Sequence, residues 1–185
     1  MLELITPPAS EPVSVATLRA YLRIESADHD ALLAELIAAA RDTVEADCGL
    51  SLVETHWRAW LNLGSLTTVR IGEGLYDQVV VERGPVLAVT SVELGGVEVD
   101  ADDWLTRGPH GKAVYAPAGL DLSAVRIDFR CGYAAPELIP ARLIRAIKML
   151  AAHWFENRQA YEQASLEEIR LGYNKLVSGF RRMVL

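Results

Sequence analysis

Long uncharged runs are missing from this sequence. The longest is Ala59–Val69, eleven residues interrupted by Asn62, Gly64, Ser65 and two threonines, whereas a membrane-spanning helix needs about 20 apolar residues. Basic residues are missing before Arg19, and Pro7–Pro8 stands where the apolar core of a secretory signal would lie, so no such signal is expected. Cysteine is scarce. Cys48 and Cys131 are far apart and lie in no Cys-x-x-Cys spacing, which argues against a disulfide framework or a thiolate zinc site and for two buried small hydrophobes in a reducing compartment. Phosphate-binding glycine loops, dinucleotide-binding glycine patterns and the Gly-x-Ser-x-Gly elbow do not occur.

What is present suits one packed domain, or one domain with a small insertion: 185 residues, 51% hydrophobic and 23% charged. The net charge of −7 is unevenly spread. Residues 1–55 hold 3 basic and 10 acidic groups, residues 56–135 hold 7 and 10, and residues 136–185 hold 8 and 5. An acidic beginning and a basic end suit head-to-tail docking better than dedicated nucleic-acid binding.

Hydrophobic periodicity divides the chain into three parts. Ser14 caps a first helix over residues 14–24, with Val15, Leu18 and Leu22 at helical spacing. Ser26 or Asp28 begins a second over 28–48, ending at Gly49, with Leu33, Leu36, Ile37, Ala40, Val44 and Cys48 inward. On its other side Ala31, Ala34 and Ala38 lie beside Glu35, Asp42 and Glu45. From Leu52 the period becomes two, and strands are expected at 52–63, 67–71, 78–82, 86–94, 97–99, 113–115 and 124–130, with Gly95–Gly96 as a hairpin turn. Short strands between Gly/Pro turns give an antiparallel sheet. Pro140, read as the first helical residue, opens a helix over 140–159 that buries Leu143, Ile147 and Leu150 and turns Arg142, Arg145 and Lys148 outward. Ser165 and Glu168 have capping-box spacing for a further short helix. The expected class is α+β: a helical bundle from residues 1–50 and 136–185, with an antiparallel β module at 51–135 inserted in it.

Candidate chemistry is sparse. His29, His56, His110 and His153 form no metal-binding pair at helical spacing. Asp28-His29-Asp30 reads as a helix start rather than a ligand set, and Asp100, Asp102 and Asp103 lack the glycine and terminal glutamate of a calcium loop. His153 reads as a histidine at a helix–helix border. No catalytic, cofactor or metal site is assigned. Arg142, Arg145 and Lys148 are the candidate cationic face, toward a neighbouring subunit or the phosphates of passing DNA.

Pro12-Val-Ser-Val-Ala-Thr-Leu-Arg-Ala-Tyr-Leu-Arg-Ile24, Asp30–Arg41 with Val44-Glu45, Arg83-Gly-Pro-Val86 with Val89 and Ser91-Val92, Phe129-Arg-Cys-Gly-Tyr133, Pro140–Ile147 and His153-Trp-Phe-Glu-Asn-Arg158 together resemble the head–tail connector (adaptor) proteins of long-tailed bacteriophages and gene transfer agents. The chain departs at Leu176–Arg181, with Gly179 where the family usually has proline. The resemblance implies a non-enzymatic virion component, assembled in the bacterial cytoplasm and lying in the particle neck. It would form a dodecameric ring between the portal and the stopper or tail, with DNA passing through unread and no membrane involved. Leu176, Val177, Phe180, Arg181 and Arg182 would meet the portal. The alternatives are another completion protein such as a tail terminator, a DNA-binding regulator using the cationic face, or a hydrolase with an acidic metal site at Asp100–Asp103.

Overall fold

The computed structural model describes residues 1–62, 67–106, 113–157 and 171–181. It divides into two compact units, each discontinuous in sequence: Met1–Ala9 with Val53–Ala134, and Ser10–Leu52 with Ala135–Leu185. The class is α+β, with helices and two antiparallel sheets.

The helical unit contains α1 (Val15–Leu22), α2 (Asp30–Cys48) and α3 (Ala141–Glu156), preceded by a 3-10 turn at Pro136–Leu138. Ser14 caps α1 as expected, its hydroxyl accepting from Thr17 N–H at 3.1 Å. The expected cap of α2 is not found. Ser26 Oγ instead accepts from Asp28 N–H, within the turn before α2, and His29 occupies the cap position without a side-chain bond. Gly49 closes α2 at φ +59°, where its N–H bonds to Ala46 and that of Leu50 to Glu45, a turn that glycine makes without a Cβ clash. Pro140 stands one residue before α3 rather than within it, and its carbonyl takes the first helical bond from Leu143. Leu33, Ile37, Ala40, Val44 and Cys48 of α2 are buried, as are Leu143, Ala146, Ile147, Leu150 and Ala151 of α3. α3 packs along α2, and α1 touches both.

Glu45 corrects the reading of α2. The sequence grouped it with exposed acids, yet it is only 3% exposed. One carboxylate oxygen accepts from Leu52 N–H at 2.7 Å and the other from Arg41, whose Nε also reaches Glu11. A buried charge is tolerated when it is paired and its lone pairs are filled.

The sheet unit contains β1 (Leu2–Thr6), β2 (Thr55–Leu61), β3 (Thr67–Ile71), β4 (Gly74–Val80), β5 (Val86–Leu94), β6 (Val97–Val99), β7 (Leu105–Thr106), β8 (Ala113–Pro117) and β9 (Val125–Cys131). One sheet runs β1-β2-β9-β5-β6 and the other β3-β4-β8-β7. The expected helical part includes residues 2–6. They are a strand on β2, with Leu2 opposite Ala59 and Leu4 opposite Trp57, and five residues carry too little alternation to announce one. The core joins Ala59, Val92, Ile127 and Phe129 to Val79, Val114 and Ala116 of the second sheet. Gly95–Gly96 turns β5 into β6 at φ +56° and +89°, as the paired glycines suggested. At Gly132, φ is +131° and a Cβ would collide with the Val53 carbonyl, which accounts for glycine after Cys131. No helix among the described residues is long and apolar enough to cross a membrane.

Candidate functional site

Of the residues assigned to partner binding, Leu176, Val177, Phe180 and Arg181 are described; Arg182 lies outside the described residues. Residues 171–177 are helical and fold onto the helical unit. Val177 is fully buried, Tyr173 is 7% exposed, and Leu176 and Phe180 are half-buried. The burial of Tyr173 and Val177 follows from their i, i+4 spacing.

Asp47 ties this segment to α2. Asp47 Oδ2, near the end of α2, accepts from the Tyr173 hydroxyl at 2.9 Å and from Arg181 Nη2 at 3.0 Å. Burial, then the hydrogen bond to Asp47, pushes the Tyr173 hydroxyl well above the ordinary tyrosine range, so it stays a donor. Sequence reasoning missed both Tyr173 and Asp47. The apolar spacing of Tyr173 with Val177 was readable, but a contact 126 residues apart in sequence was not.

Arg142 and Arg145 are exposed on α3 as expected. Lys148 is half-buried, its ammonium 5.8 Å from the Tyr21 ring centroid. Arg142 lies against the turn of the C-terminal segment, since a side chain begun at Gly179 would meet its Nη1 at 3.9 Å.

The remaining candidates are dispersed. Among the described residues no group of three or more His, Cys, Asp or Glu is arranged to hold a metal ion. Asp100, Asp102 and Asp103 are exposed in a turn where Asp100 accepts from Asp102 N–H at 2.9 Å. Asp30 pairs with Arg19 at 3.3 Å, while His29 meets Phe155 edge-on at 5.4 Å. His153 is buried and its Nδ1 lies 2.9 Å from Asn157 Nδ2. His110, Arg158, Ser165 and Glu168 lie outside the described residues, as does Leu63. One cavity of about 360 Å³ opens in the sheet unit by Trp60, Glu93 and Arg126, and another of about 390 Å³ lies in the helical unit by Tyr21, Arg23 and His153. His56 Nε2 sits 3.0 Å from Thr90 Oγ1 on the sheet, and neither lines these cavities.

A family model described as head completion protein matches residues 11–171. In fold the chain is similar to a protein in a solved neck of an empty gene transfer agent (GTA) particle computed with C6 symmetry, at TM-score 0.75 and 24% identity. It is similar also to one in the virion of a native GTA particle (0.73, 23%) and to one in a native neck computed with C12 symmetry (0.71, 23%). Each comparison covers 100% of this chain and 97% of the other. No curated protein matches in sequence.

Proposed function

The chain belongs to the head completion protein family, and from that premise we propose that it is a structural adaptor joining the head of a phage-like particle to its tail. The observation that carries this reading is the family match across residues 11–171, which spans both units. The adaptor forms a ring in the particle neck, with the portal on one side and the stopper or tail-completion protein on the other. DNA passes through without sequence readout. Assembly takes place in the bacterial cytoplasm.

In this reading the two terminal helical segments act as one bundle whose C-terminal segment engages the portal. The chemistry there supports it. Leu176 and Phe180 are only half-covered, and Arg181 stays exposed beside them, so an aromatic anchor and a cation are presented together, as at the centre and rim of many interfaces. Arg182 extends the same face in sequence.

The test is capture of the protein by purified portal rings, followed by electron microscopy of the complex. The expected result is a ring of this protein on the portal, with Phe180→Ala weakening capture more than Arg181→Ala. Absence of capture, together with normal tail joining in particles made without this protein, would overturn the reading.

A further inference from the structure

The helical unit carries two exposed charged faces of opposite sign whose charges have no ion-pair partner among the described residues. On α2, Ala31, Glu35, Ala39, Asp42 and Ala46 are all exposed and recur three or four residues apart, so they form one stripe. The other acids of this helix are engaged: Asp30 with Arg19, Glu45 with Arg41, and Asp47 with Tyr173 and Arg181. Glu35 and Asp42 are the ones left over. On α3, Arg142 and Arg145 are exposed without a carboxylate among the described residues, while Lys148 leans on Tyr21.

We propose that the α3 face of one copy, Arg142, Arg145 and Lys148, docks on the α2 face of the next copy, at Glu35 and Asp42. The proposal rests on the ring reading above and names its subunit contact. Charge complementarity selects the occupant, because one copy supplies both halves of the contact. Spacing agrees with it. Glu35 and Asp42 are seven residues apart, about 10.5 Å along one side of α2, and Arg142, Arg145 and Lys148 recur every third residue over about 9 Å of α3, turning through about 120°. Alanines at 31, 39 and 46 let the facing helix approach, so the long cationic side chains reach both carboxylates. The contact uses a different face on each copy and is therefore heterologous, the kind that closes into rings. Duplex DNA on the cationic face is the weaker alternative, since it leaves the acidic stripe unaccounted for in a chain of net charge −7.

The test is sedimentation of the purified full chain at high protein concentration, with two charge-reversed variants. Glu35→Lys/Asp42→Lys makes both faces basic; Arg142→Glu/Arg145→Glu leaves the α3 face predominantly acidic, like the α2 face. The native chain is expected to associate at low salt and to dissociate as salt rises, because exposed charges are screened over about 10 Å at 0.1 M. Each variant alone should associate at least about tenfold more weakly, since like charges then face each other. An equimolar mixture of the two should regain association, because each supplies the face that the other lacks. Circular dichroism checks that both remain folded.

A native chain that stays monomeric at low salt, a variant that associates like the native chain, or a mixture that regains nothing each overturns the proposal. If Arg142→Glu/Arg145→Glu loses salt-dependent DNA binding but keeps self-association, the cationic face belongs to DNA and the proposal falls. Both variants also go to portal capture. Rings that form normally there leave the adaptor reading standing while this contact fails; a native chain that forms no ring on the portal removes the reading beneath it.

Discussion

The five-stranded sheet pairs arginines with carboxylates across its strands, whereas the helical unit holds a cationic and an acidic helix face exposed. On the five-stranded sheet, Arg58 forks onto Asp128 with two bonds of 2.7 Å, Arg126 pairs with Glu93, and Arg130 with Glu54. Two of these pairings follow from strand register: Arg58 lies opposite Asp128, and Arg126 opposite Glu93. Cross-strand neighbours lie about 5 Å apart, so opposite charges placed there satisfy one another. The helices also bury an acid, Glu45, but hold Glu35, Asp42, Arg142 and Arg145 exposed. In the proposed adaptor, the exposed helix faces are what a neighbour would meet, and the cross-strand pairs serve the fold of the sheet.

The largest effect should come from emptying the sheet core. Phe129 is fully buried between the two sheets, so Phe129→Ala should cost about 3–5 kcal/mol in urea unfolding, through lost transfer energy and a residual cavity. Amide exchange should speed up most in β9 and its neighbours β2 and β5. Earlier loss of protection in the helical unit would show that Phe129 does not anchor the sheet core alone.

Next in size is the tie on the C-terminal segment. Asp47→Ala leaves the buried Tyr173 hydroxyl without its acceptor and should cost about 1–3 kcal/mol. Amides of residues 171–181 should exchange faster while those of the sheets are unchanged. Asp47→Asn keeps an acceptor for Tyr173 but loses the charge facing Arg181, so it should fall between. Deleting residues 176–185 instead would remove the fully buried Val177 and so disturb the helical unit itself. Ser14→Ala should cost about 1 kcal/mol by leaving the first turn of α1 uncapped. Thermal melting checks that value.

Local chemistry explains what the sequence disclosed. Ser14, Gly49 and Gly95–Gly96 announce caps and turns because their effect depends on neighbours within four residues. Alternation over residues 52–63 announces β2, which spans the shorter Thr55–Leu61, with Thr55 and Ala59 buried and Trp60 exposed. Long-range features were hidden. β1 is a strand only because β2 is there to pair with it. Glu45 looks like any helical acid until Arg41 and Leu52 N–H close around it. In the candidate site, Arg142, Arg145, Phe180 and Arg181 were legible as an amphipathic end of chain, but Asp47 was not, since its partners lie 126 and 134 residues away.

The smallest effect expected is a response to acid in the sheet unit. The bidentate bonds from Arg58, with some opposition from burial, hold the Asp128 carboxyl below the ordinary carboxylate range. Because this pKa is lower in the folded chain, the unfolded chain takes up the proton first as pH falls. The stability contributed by the pair is therefore full above the unfolded value, about 3.9, and disappears as pH drops through the lowered folded value. Arg58 keeps 32% of its side chain in water, which screens the pair and keeps the contribution modest. Urea midpoints measured between about pH 6 and pH 2 should fall along the acid limb in the native chain. In Asp128→Asn the midpoint should start lower at neutral pH and fall less steeply, because the titrating group is gone. An Asp128→Asn curve parallel to the native one would mean that the sheet's charge pairs are ornamental, and that the contrast with the helical unit lies in placement alone.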